Sequence, residues 1–249
     1  MNRVVGIIPA RLQSSRLPEK LLLEETGKPL IQYVWETASK ASVLDEVIVA
    51  TDSQRIVDVV EGFGGRAEMT GDHPSGSDRI AEVADRCCPN ADVIVNLQGD
   101  EPELETSTIE GLVSAIRSSG AEMATVAAPL TVESNILSPD CVKVVLNDRD
   151  EAMYFSRSVI PYRRDGSVED ALHAGTSPWL LHVGLYAYRR SFLLQLTQMP
   201  PSTLEKLEKL EQLRALQAGA TIAVAKTPDA AVGIDTREDY DAFVSRQNA

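Results

Sequence analysis

Three cationic side chains near the start of the chain have the spacing of an anion-binding loop. Arg11, Arg16 and Lys20 lie within ten residues of one another, on a chain whose formal net charge is −13 at pH 7. A guanidinium group can donate two hydrogen bonds to a phosphate, and an ammonium group acts on it as a compact point charge. These residues therefore indicate a phosphate ligand, although a solvated basic loop would have the same composition.

A second group of residues is acidic and could hold a metal ion. Asp100 and Glu101 follow the apolar run 92–97, inside the string Gln98-Gly99-Asp100-Glu101-Pro102. Magnesium takes oxygen ligands and is usually held by one or two carboxylates together with substrate phosphates. A magnesium site is one interpretation. An exposed turn is the other, because Gly99 and Pro102 both favour turns.

The elements that must position these groups alternate between strands and helices. Apolar runs with β-branched residues predict strands, and apolar residues at helical spacing predict helices. The predicted strands are 4–9, 46–52, 66–70, 92–97 and 123–129, and the predicted helices are 30–41, 54–63, 80–88 and 106–118. Such alternation predicts a parallel sheet covered by helices, with ligand loops at the carboxyl ends of the strands.

The second half of the chain departs from this alternation. Two predicted strands, 141–146 and 152–156, have no helix between them, which indicates a small antiparallel excursion at about 131–190. A further strand at 180–189 places His182 on the same face as Gly184, where a glycine leaves space for a ligand. A satisfied structural histidine is the alternative. We expect one domain, 1–249, that includes this excursion.

Three later segments complete the prediction. Residues 163–176 are polar and predict no regular structure, whereas 202–219 predicts one helix with a capping box at Ser202 and Glu205. A strand at 221–225 follows. On the helix, Glu211 and Arg214 fall on the apolar sector, either as an internal ion pair or as groups that face a ligand.

The region around Asp235 also has two interpretations. Asp235 could cap the final helix, with Glu238 completing a capping box, or it could be a second metal ligand. For the predicted helix 80–88, Ser77 or Asp78 could be the N-terminal cap.

The composition excludes several classes of partner. A net charge of −13 and a pI near 4.7 argue against nucleic acid and anionic membranes, which require a basic face. No apolar run approaches the roughly 20 residues of a membrane span. Because the first strand begins by residue 3, we expect no leader and a cytoplasmic protein. The three cysteines lack metal-ligand spacing and are interpreted as reduced packing thiols.

Several strings, in order from residue 3 to about 241, resemble the sugar-acid cytidylyltransferases, and in particular their 3-deoxy-manno-octulosonate (KDO) branch. These strings are Ile8-Pro9-Ala10-Arg11 with Ser14-Ser15-Arg16-Leu17-Pro18-Glu19-Lys20, Ser75-Gly76-Ser77-Asp78-Arg79, Gln98-Gly99-Asp100-Glu101-Pro102, Ser156-Arg157, His182-Val183-Gly184-Leu185-Tyr186, Leu210-Glu211-Gln212-Leu213-Arg214 and Gly233-Ile234-Asp235-Thr236. One departure is Glu19, where the KDO branch usually has glycine.

The resemblance implies a fold, a reaction and partners. The fold is α/β, a Rossmann-like mixed and mainly parallel sheet flanked by helices, of the nucleotide-diphospho-sugar transferase type. The reaction transfers CMP from CTP to KDO, giving CMP-KDO and pyrophosphate for lipopolysaccharide synthesis, with Mg²⁺ as cofactor. It also implies a homodimer with no nucleic-acid or membrane partner. The alternatives are an N-acylneuraminate or 8-amino-KDO cytidylyltransferase, or a non-catalytic nucleotide-binding protein on the same fold.

The resemblance also assigns roles to residues. The catalytic residues would be Arg11, Lys20, Asp100 and Asp235, and the last two would bind the metal. The nucleotide would be bound by Pro9, Ala10, Arg11, Ser14, Lys20, Ser75, Gly76 and Arg79. The sugar acid would be bound by Arg16, Gln98, Arg157, His182, Tyr186, Glu211 and Gln212.

Overall fold

The computed structural model describes residues 3–14, 16–175 and 177–248, so Ser15 of the first motif and Thr176 lie outside the described residues. The chain divides into two compact units. The first unit contains the residues up to Glu110, residues 189–197 and the residues from Ala231 on. The second unit contains residues 111–188 and 198–230.

The described residues form nine strands and ten α-helices, with a short 3-10 helix at Lys20–Leu22. The strands are β1 (Val4–Ala10), β2 (Glu46–Thr51), β3 (Arg66–Met69), β4 (Val93–Asn96), β5 (Met123–Pro129), β6 (Lys143–Leu146), β7 (Ala152–Ser156), β8 (Leu180–Arg189) and β9 (Ile222–Lys226). The helices are α1 (Leu30–Lys40), α2 (Gln54–Gly62), α3 (Gly76–Cys87), α4 (Thr106–Ser118), α5 (Glu133–Leu137), α6 (Val168–His173), α7 (Arg190–Leu196), α8 (Thr203–Glu208), α9 (Gln212–Gln217) and α10 (Arg237–Gln247).

The first unit is built on a parallel sheet in the order β3-β2-β1-β4. Ile7 pairs with Ile48 on one side and with Asn96 on the other. The central strands β1 and β4 are almost entirely buried, as expected of a parallel sheet covered on both faces, whereas the edge strand β3 is partly exposed. Pro9 is tolerated because the β1–β4 ladder ends at Ile7, so that beyond it only β2 pairs with β1.

The second unit contains the antiparallel pairs. Strand β5 runs parallel to β9 and antiparallel to β8, and β6 pairs antiparallel with both β7 and β8. The predicted excursion without an intervening helix at 141–156 is therefore confirmed. The predicted fold class, a mixed and mainly parallel sheet with flanking helices, is confirmed as well.

A bulge in β8 has a consequence for the site. Thr125 of β5 pairs with Tyr186, but the next residue, Val126, pairs with Val183, so Gly184 and Leu185 are extra on β8. Because two residues are inserted, the alternation of side chains between the faces is preserved. His182 and Tyr186 therefore share a face, with their ring centroids 5.5 Å apart.

The single predicted helix at 202–219 is wrong, because the structure has two helices, α8 and α9. Lys209 separates them in the left-handed conformation, with φ 56°. The Glu208 carboxylate accepts hydrogen bonds from the Ser156 hydroxyl at 2.7 Å and the Arg157 amide at 3.0 Å. These tertiary contacts draw the chain out of its helical path, and they leave Leu207 75% exposed.

The break also changes the ion pair expected in this segment. Arg214 pairs with Glu205, with its NH2 2.5 Å and its Nε 2.9 Å from the two carboxylate oxygens. The carboxylate that Arg214 contacts is therefore that of Glu205, whereas one of the two interpretations of the sequence named Glu211. The capping box at Ser202 and Glu205 is confirmed, so Glu205 closes the start of α8 and neutralises Arg214 at the same time.

Three other local predictions are corrected. The polar segment 163–176 contains the helix α6, which begins at a capping box of Ser167 and Asp170. Helix α5 also forms without having been predicted. Helix α3 begins at Gly76 instead of residue 80, because the hydroxyl of Ser75, and not Ser77 or Asp78, caps it.

The structure also bears on the cysteines and on the expected absence of a membrane-spanning segment. Within the described residues, Cys87, Cys88 and Cys141 form no disulfide, and burial raises the pKa of Cys88 to about 11, so that its thiol is protonated at neutral pH. In the same part of the chain, no helix is long and apolar enough to cross a bilayer.

Candidate active site

The first unit contains a pocket of about 320 Å³ where β1 and β4 end. Its wall combines the loop after β1, the start of α3, the loop after β4 and the segment before α10. The lining residues are Pro9, Ala10, Arg11, Ser14, Arg16, Lys20, Leu21, His73, Pro74, Ser75, Gly76, Arg79, Gln98, Gly99, Asp100 and Asp235. The structure therefore brings all the predicted nucleotide, catalytic and metal residues into one cavity, together with Arg16 and Gln98.

Lys20 is at the centre of the charged groups in this pocket. Its Nζ donates to Asp100 Oδ2 at 2.5 Å, to the Ile234 carbonyl at 2.9 Å and to Asp235 Oδ1 at 3.0 Å. Only 12% of its side chain is exposed. One ammonium group thus bridges two carboxylates that lie far apart in the sequence.

The Asp235 side chain can contact Lys20 because the neighbouring residue, Thr236, caps α10. Thr236, not Asp235, caps α10, and the capping box is completed by Asp239 in place of Glu238. The predicted cap was therefore one residue early. The carboxylate of Asp235 lies between Lys20 and Arg16, whose NH2 is 2.8 Å from Asp235 Oδ2.

A buried apolar cluster fixes the segment that carries Asp235. Ile234 packs with Leu17 of the cationic loop, Leu30 of α1, and Tyr240 and Phe243 of α10. These side chains are almost fully buried. The cluster holds the cationic loop and the acidic segment in register, since each contributes an apolar residue immediately beside its charged one.

The donor set at Lys20 fits a magnesium ion. Because Asp100 and Asp235 contact the same nitrogen, their oxygens are close enough for one cation to touch both. Among the described residues no group of three or more His, Cys, Asp or Glu side chains could hold a metal. Two carboxylates, completed by phosphates and water, are the usual protein share of a magnesium site.

Glu101 is the least satisfied group beside the pocket. Its Oε2 is buried and has no hydrogen-bond partner among the described residues. Burial, with a smaller contribution from the Asp100 charge, raises the pKa of Glu101 to about 8. Glu101 is therefore largely protonated at neutral pH.

The start of α3 forms a second wall of the pocket. The Ser75 hydroxyl accepts from the Asp78 amide at 3.1 Å and donates to the Asp78 carboxylate at 2.7 Å. Arg79 is 4% exposed, and its guanidinium donates to the Thr70 hydroxyl and, at 2.5 Å, to the Asp52 carboxylate. Capping at Ser75 and lining of the pocket therefore coexist in this segment.

A second cluster of predicted site residues lies in the second unit, around His182. The His182 ring is 3.1 Å from Thr125 Oγ1 through Nε2 and 3.5 Å from Gln212 Nε2 through Nδ1. Phe155 packs edge-on against the ring. Burial lowers the pKa of His182 to about 3, so the ring is neutral at physiological pH.

The hydrogen bonds around His182 indicate one tautomer. If the Gln212 amide donates to Nδ1, Nε2 carries the proton and donates to Thr125. The Thr125 hydroxyl can then donate to the Leu185 carbonyl, 2.9 Å away in the β8 bulge. The bulge, Thr125 and Gln212 therefore orient a neutral imidazole.

Two predicted sugar residues, Arg157 and Glu211, make their hydrogen bonds to backbone groups and not to the residues around His182. The Arg157 guanidinium donates to the backbone carbonyls of Glu208 at 2.7 Å and Pro139 at 2.9 Å. Glu211 directly precedes α9, and its carbonyl accepts from the Arg214 amide at 2.9 Å. Their roles toward a sugar acid stay predictions.

Sequence reasoning missed several residues that shape these sites. Thr125, a polar residue within the apolar strand β5, had a signal in its isolation. Asp52 could have been suspected as a carboxylate just beyond the end of β2. The pairing of His73 Nε2 with Glu82 Oε2, at 2.7 Å, joins residues nine positions apart and had no such signal.

A family model, related sequences and a solved structure all agree with the family resemblance of the sequence motifs. A family model described as cytidylyltransferase matches residues 5–222. A 3-deoxy-manno-octulosonate cytidylyltransferase from Rhodopirellula baltica is 47% identical over 242 residues, 96% of each chain. One from Syntrophobacter fumaroxidans is 48% identical over 245 residues, 97% of this chain and 96% of the relative.

A solved structure agrees with these sequences. CMP:2-keto-3-deoxy-manno-octonic acid synthetase, complexed with CTP, superimposes with a TM-score of 0.91 at 40% identity and covers 99% of each chain. Both the family model and the near full-length relatives thus agree with the motifs that line the pocket. The chain belongs to the 3-deoxy-manno-octulosonate cytidylyltransferase family and is a nucleotidyltransferase.

Proposed function

We propose that this enzyme transfers CMP from CTP to KDO and releases pyrophosphate. The observation that carries the proposal is the Lys20 ammonium group, held between Asp100 and Asp235 in a pocket that also contains Arg11 and Arg16. A nucleoside triphosphate brings several negative charges, and this pocket combines cations for phosphate with carboxylates for a metal.

In the proposed reaction, the anomeric hydroxyl of KDO attacks the α-phosphorus of CTP. The new oxygen–phosphorus bond forms as the bond to the pyrophosphate oxygen breaks, and the hydroxyl proton is lost. Such transfers depend on positioning and on neutralising charge at the phosphate oxygens. We assign that neutralisation to Arg11 and Lys20, and the nucleotide contacts to Ser14, Ser75 and the adjoining backbone.

We propose Asp100 and Asp235 as the residues that hold Mg²⁺. When bound, the ion would supply positive charge to the transferring phosphate. Lys20 contacts one oxygen of each carboxylate, so the other oxygen of Asp100 and of Asp235 would be available to the ion. Lys20 neutralises both carboxylates, whose mutual repulsion would otherwise oppose their approach.

In the second unit, we propose His182, Gln212 and Tyr186 as residues that bind the sugar acid. In the first unit, Arg16 and Gln98 line the pocket, and their role toward the sugar acid stays a prediction from the family resemblance. A neutral imidazole and an amide suit the hydroxyl groups of a sugar, whereas an arginine suits its carboxylate. A homodimer, a cytoplasmic location and a place in lipopolysaccharide synthesis belong to the same proposal.

The proposal is tested by pyrophosphate release in the presence of magnesium. CTP is offered with KDO, 8-amino-KDO or N-acetylneuraminate in parallel, and UTP replaces CTP as the nucleotide control. We expect release with CTP and KDO. Release only with another sugar acid would place the enzyme in a different branch, and CTP binding without release for any acid would contradict the proposed reaction.

A further inference from the structure

Glu19 adopts a backbone conformation that is uncommon for a residue with a side chain. Its φ is 54° and its ψ 26°, in the left-handed region. Glycine is the usual occupant of this region because a Cβ atom is disfavoured there. Glu19 directly precedes Lys20, and its carbonyl accepts from the Leu22 amide at 2.8 Å, which starts the 3-10 helix. The direction in which Lys20 leaves the backbone therefore depends on this turn.

An ion pair fixes the same residue from outside the pocket. Arg55, in the first turn of α2, places NH1 2.5 Å from Glu19 Oε1 and NH2 3.0 Å from Glu19 Oε2. Two parallel hydrogen bonds restrict orientation as well as distance. Arg55 is not among the residues that line the pocket. It therefore connects the cationic loop to a regular helix, without itself facing a ligand in that cavity.

We propose that the Glu19–Arg55 ion pair is a positioning device for Lys20, and that Arg55 is a positioning residue for the nucleotidyl transfer. The pair holds the left-handed turn, and the turn directs the Lys20 ammonium group to Asp100 and Asp235. This inference rests on the proposed function, since it assigns Lys20 to the phosphates of CTP.

The alternative interpretation, that Glu19 and Arg55 form only a surface ion pair, predicts a different result. The Arg55 and Glu19 side chains are 60% and 41% exposed, and exposed pairs contribute little to the stability of a protein. If the pair were only a surface contact, its loss would change neither the melting temperature nor the reaction. If it positions Lys20, its loss changes the reaction while the melting temperature stays the same.

The chain offers a matched control in Arg246 and Glu103. These residues also form a two-pronged pair, with distances of 2.9 and 2.7 Å, and their side chains are 47% and 28% exposed. This pair joins α10 to the segment before α4 and does not include the Lys20 loop. Arg246→Gln therefore removes a comparable ion pair from the same unit.

The test compares Arg55→Gln with Arg246→Gln. We expect Arg55→Gln to lower kcat/KM for CTP by roughly 10-fold, because small displacements of a catalytic group have large effects on rate. Hydrogen exchange at the Leu22 and Leu23 amides should become faster in the same variant, since both donate within the 3-10 turn. Arg246→Gln should leave both quantities at the wild-type value.

A glycine background separates positioning from a general charge effect. In Glu19→Gly the partner of Arg55 is gone, so adding Arg55→Gln should cause no further loss. An additive loss would overturn the proposal. Faster exchange with unchanged kcat/KM, or an equal loss in Arg246→Gln, would overturn it as well.

Failure of the proposed function gives a different pattern. In that case the wild type releases no pyrophosphate with any sugar acid offered. Calorimetric titration with CTP and the exchange of the two amides then decide whether the pair orders the loop for nucleotide binding. Equal CTP affinity and equal exchange in Arg55→Gln and wild type would overturn the positioning role independently of the reaction.

Discussion

Lys20 and Lys143 are both enclosed lysines, but their partners differ. Lys20, in the first unit, contacts two carboxylates and one carbonyl and keeps 12% of its side chain exposed. Lys143, in the second unit, is fully buried and donates only to carbonyls, those of Ser138, Cys141 and Arg157, at 2.6–2.8 Å. Burial lowers the pKa of Lys143.

The difference separates a functional lysine from a structural one. Carboxylates at the mouth of a pocket can exchange an ammonium group for another cation, so the contacts of Lys20 are replaceable. Backbone carbonyls have no such alternative when they are buried, because each needs a donor. Lys143 therefore links the segment 138–141 to Arg157, whereas the proposed function assigns Lys20 to a charged ligand.

The largest expected effect tests the functional side of this comparison. Lys20→Met should lower turnover by about 10²–10⁴-fold, since it removes a charge that stabilises the transferring phosphate. Asp100→Asn should have an effect of the same order with a melting temperature near that of the wild type, whereas Lys20→Met should also lower the melting temperature, because it leaves two neighbouring carboxylates without their shared cation. Pyrophosphate release at saturating CTP measures the change, with Glu103→Gln as the control. Turnover close to that of the wild type in either variant would remove its residue from the catalytic machinery.

Lys143→Met tests the structural side. Three partly buried carbonyls lose their donor, so we expect the free energy of unfolding to fall by about 3 kcal/mol, which urea denaturation measures. The KM for CTP of the folded protein should stay unchanged. A stable Lys143→Met variant with an altered KM for CTP would reverse the comparison between the two lysines.

His182 extends the comparison to a neutral buried group. His182→Asn should raise the KM for the sugar acid by roughly 5-fold and leave the KM for CTP unchanged, because a lost hydrogen bond contributes about 1 kcal/mol. Steady-state kinetics with each substrate varied in turn measures both constants. An equal rise in both would indicate a general disturbance of the fold.

The stability of the wild type should depend on pH through His182, and His182→Asn serves as the comparison. The folded pKa of His182 is lowered to about 3, so below the unfolded pKa of about 6.5 the unfolded chain binds the extra proton. Stability contributed by neutral His182 is therefore present above that pH and is lost as the pH falls. Between pH 7 and pH 5, the wild type should lose on the order of 1 kcal/mol more than His182→Asn. Parallel losses in urea titrations at the two pH values would contradict the neutral imidazole.

The smallest effect distinguishes two neighbours. Thr236→Ala removes the cap of α10 and should lower stability by about 1 kcal/mol with little change in turnover. Asp235→Asn should lower turnover with little change in stability, because Asp235 contacts Lys20 and is not the cap. Thermal unfolding and pyrophosphate release on both variants check the pair. A larger loss of stability in Asp235→Asn would return the capping role to Asp235.

The parts of the fold that follow from local periodicity were predicted well. The sequence predicted α4 and β5 at their observed bounds, since their apolar spacing has a single interpretation. The residues of the pocket were predicted from the family motifs, which group them by function before any distance is known. The structure adds their pairing, such as Lys20 between two carboxylates.

The wrong predictions arose where a tertiary contact overrides local preference. The segment 202–219 has the residues of one helix, but Glu208 turns to Ser156 and Arg157 and ends it. The cap of α10 lies at Thr236 because Ile234 is buried in the apolar cluster, which leaves Asp235 directed to Lys20. Neither contact has a signature within its own segment of sequence.

The bond between Lys20 and Asp235 joins residues 215 positions apart. During synthesis the chain emerges from its amino end, so β1 and the cationic loop exist long before their second carboxylate does. On the proposed function, a nascent chain has the cations assigned to phosphate and Asp100 but lacks the carboxylate that completes the site. The contacts of Lys20 can therefore all form only after the segment before α10 has left the ribosome.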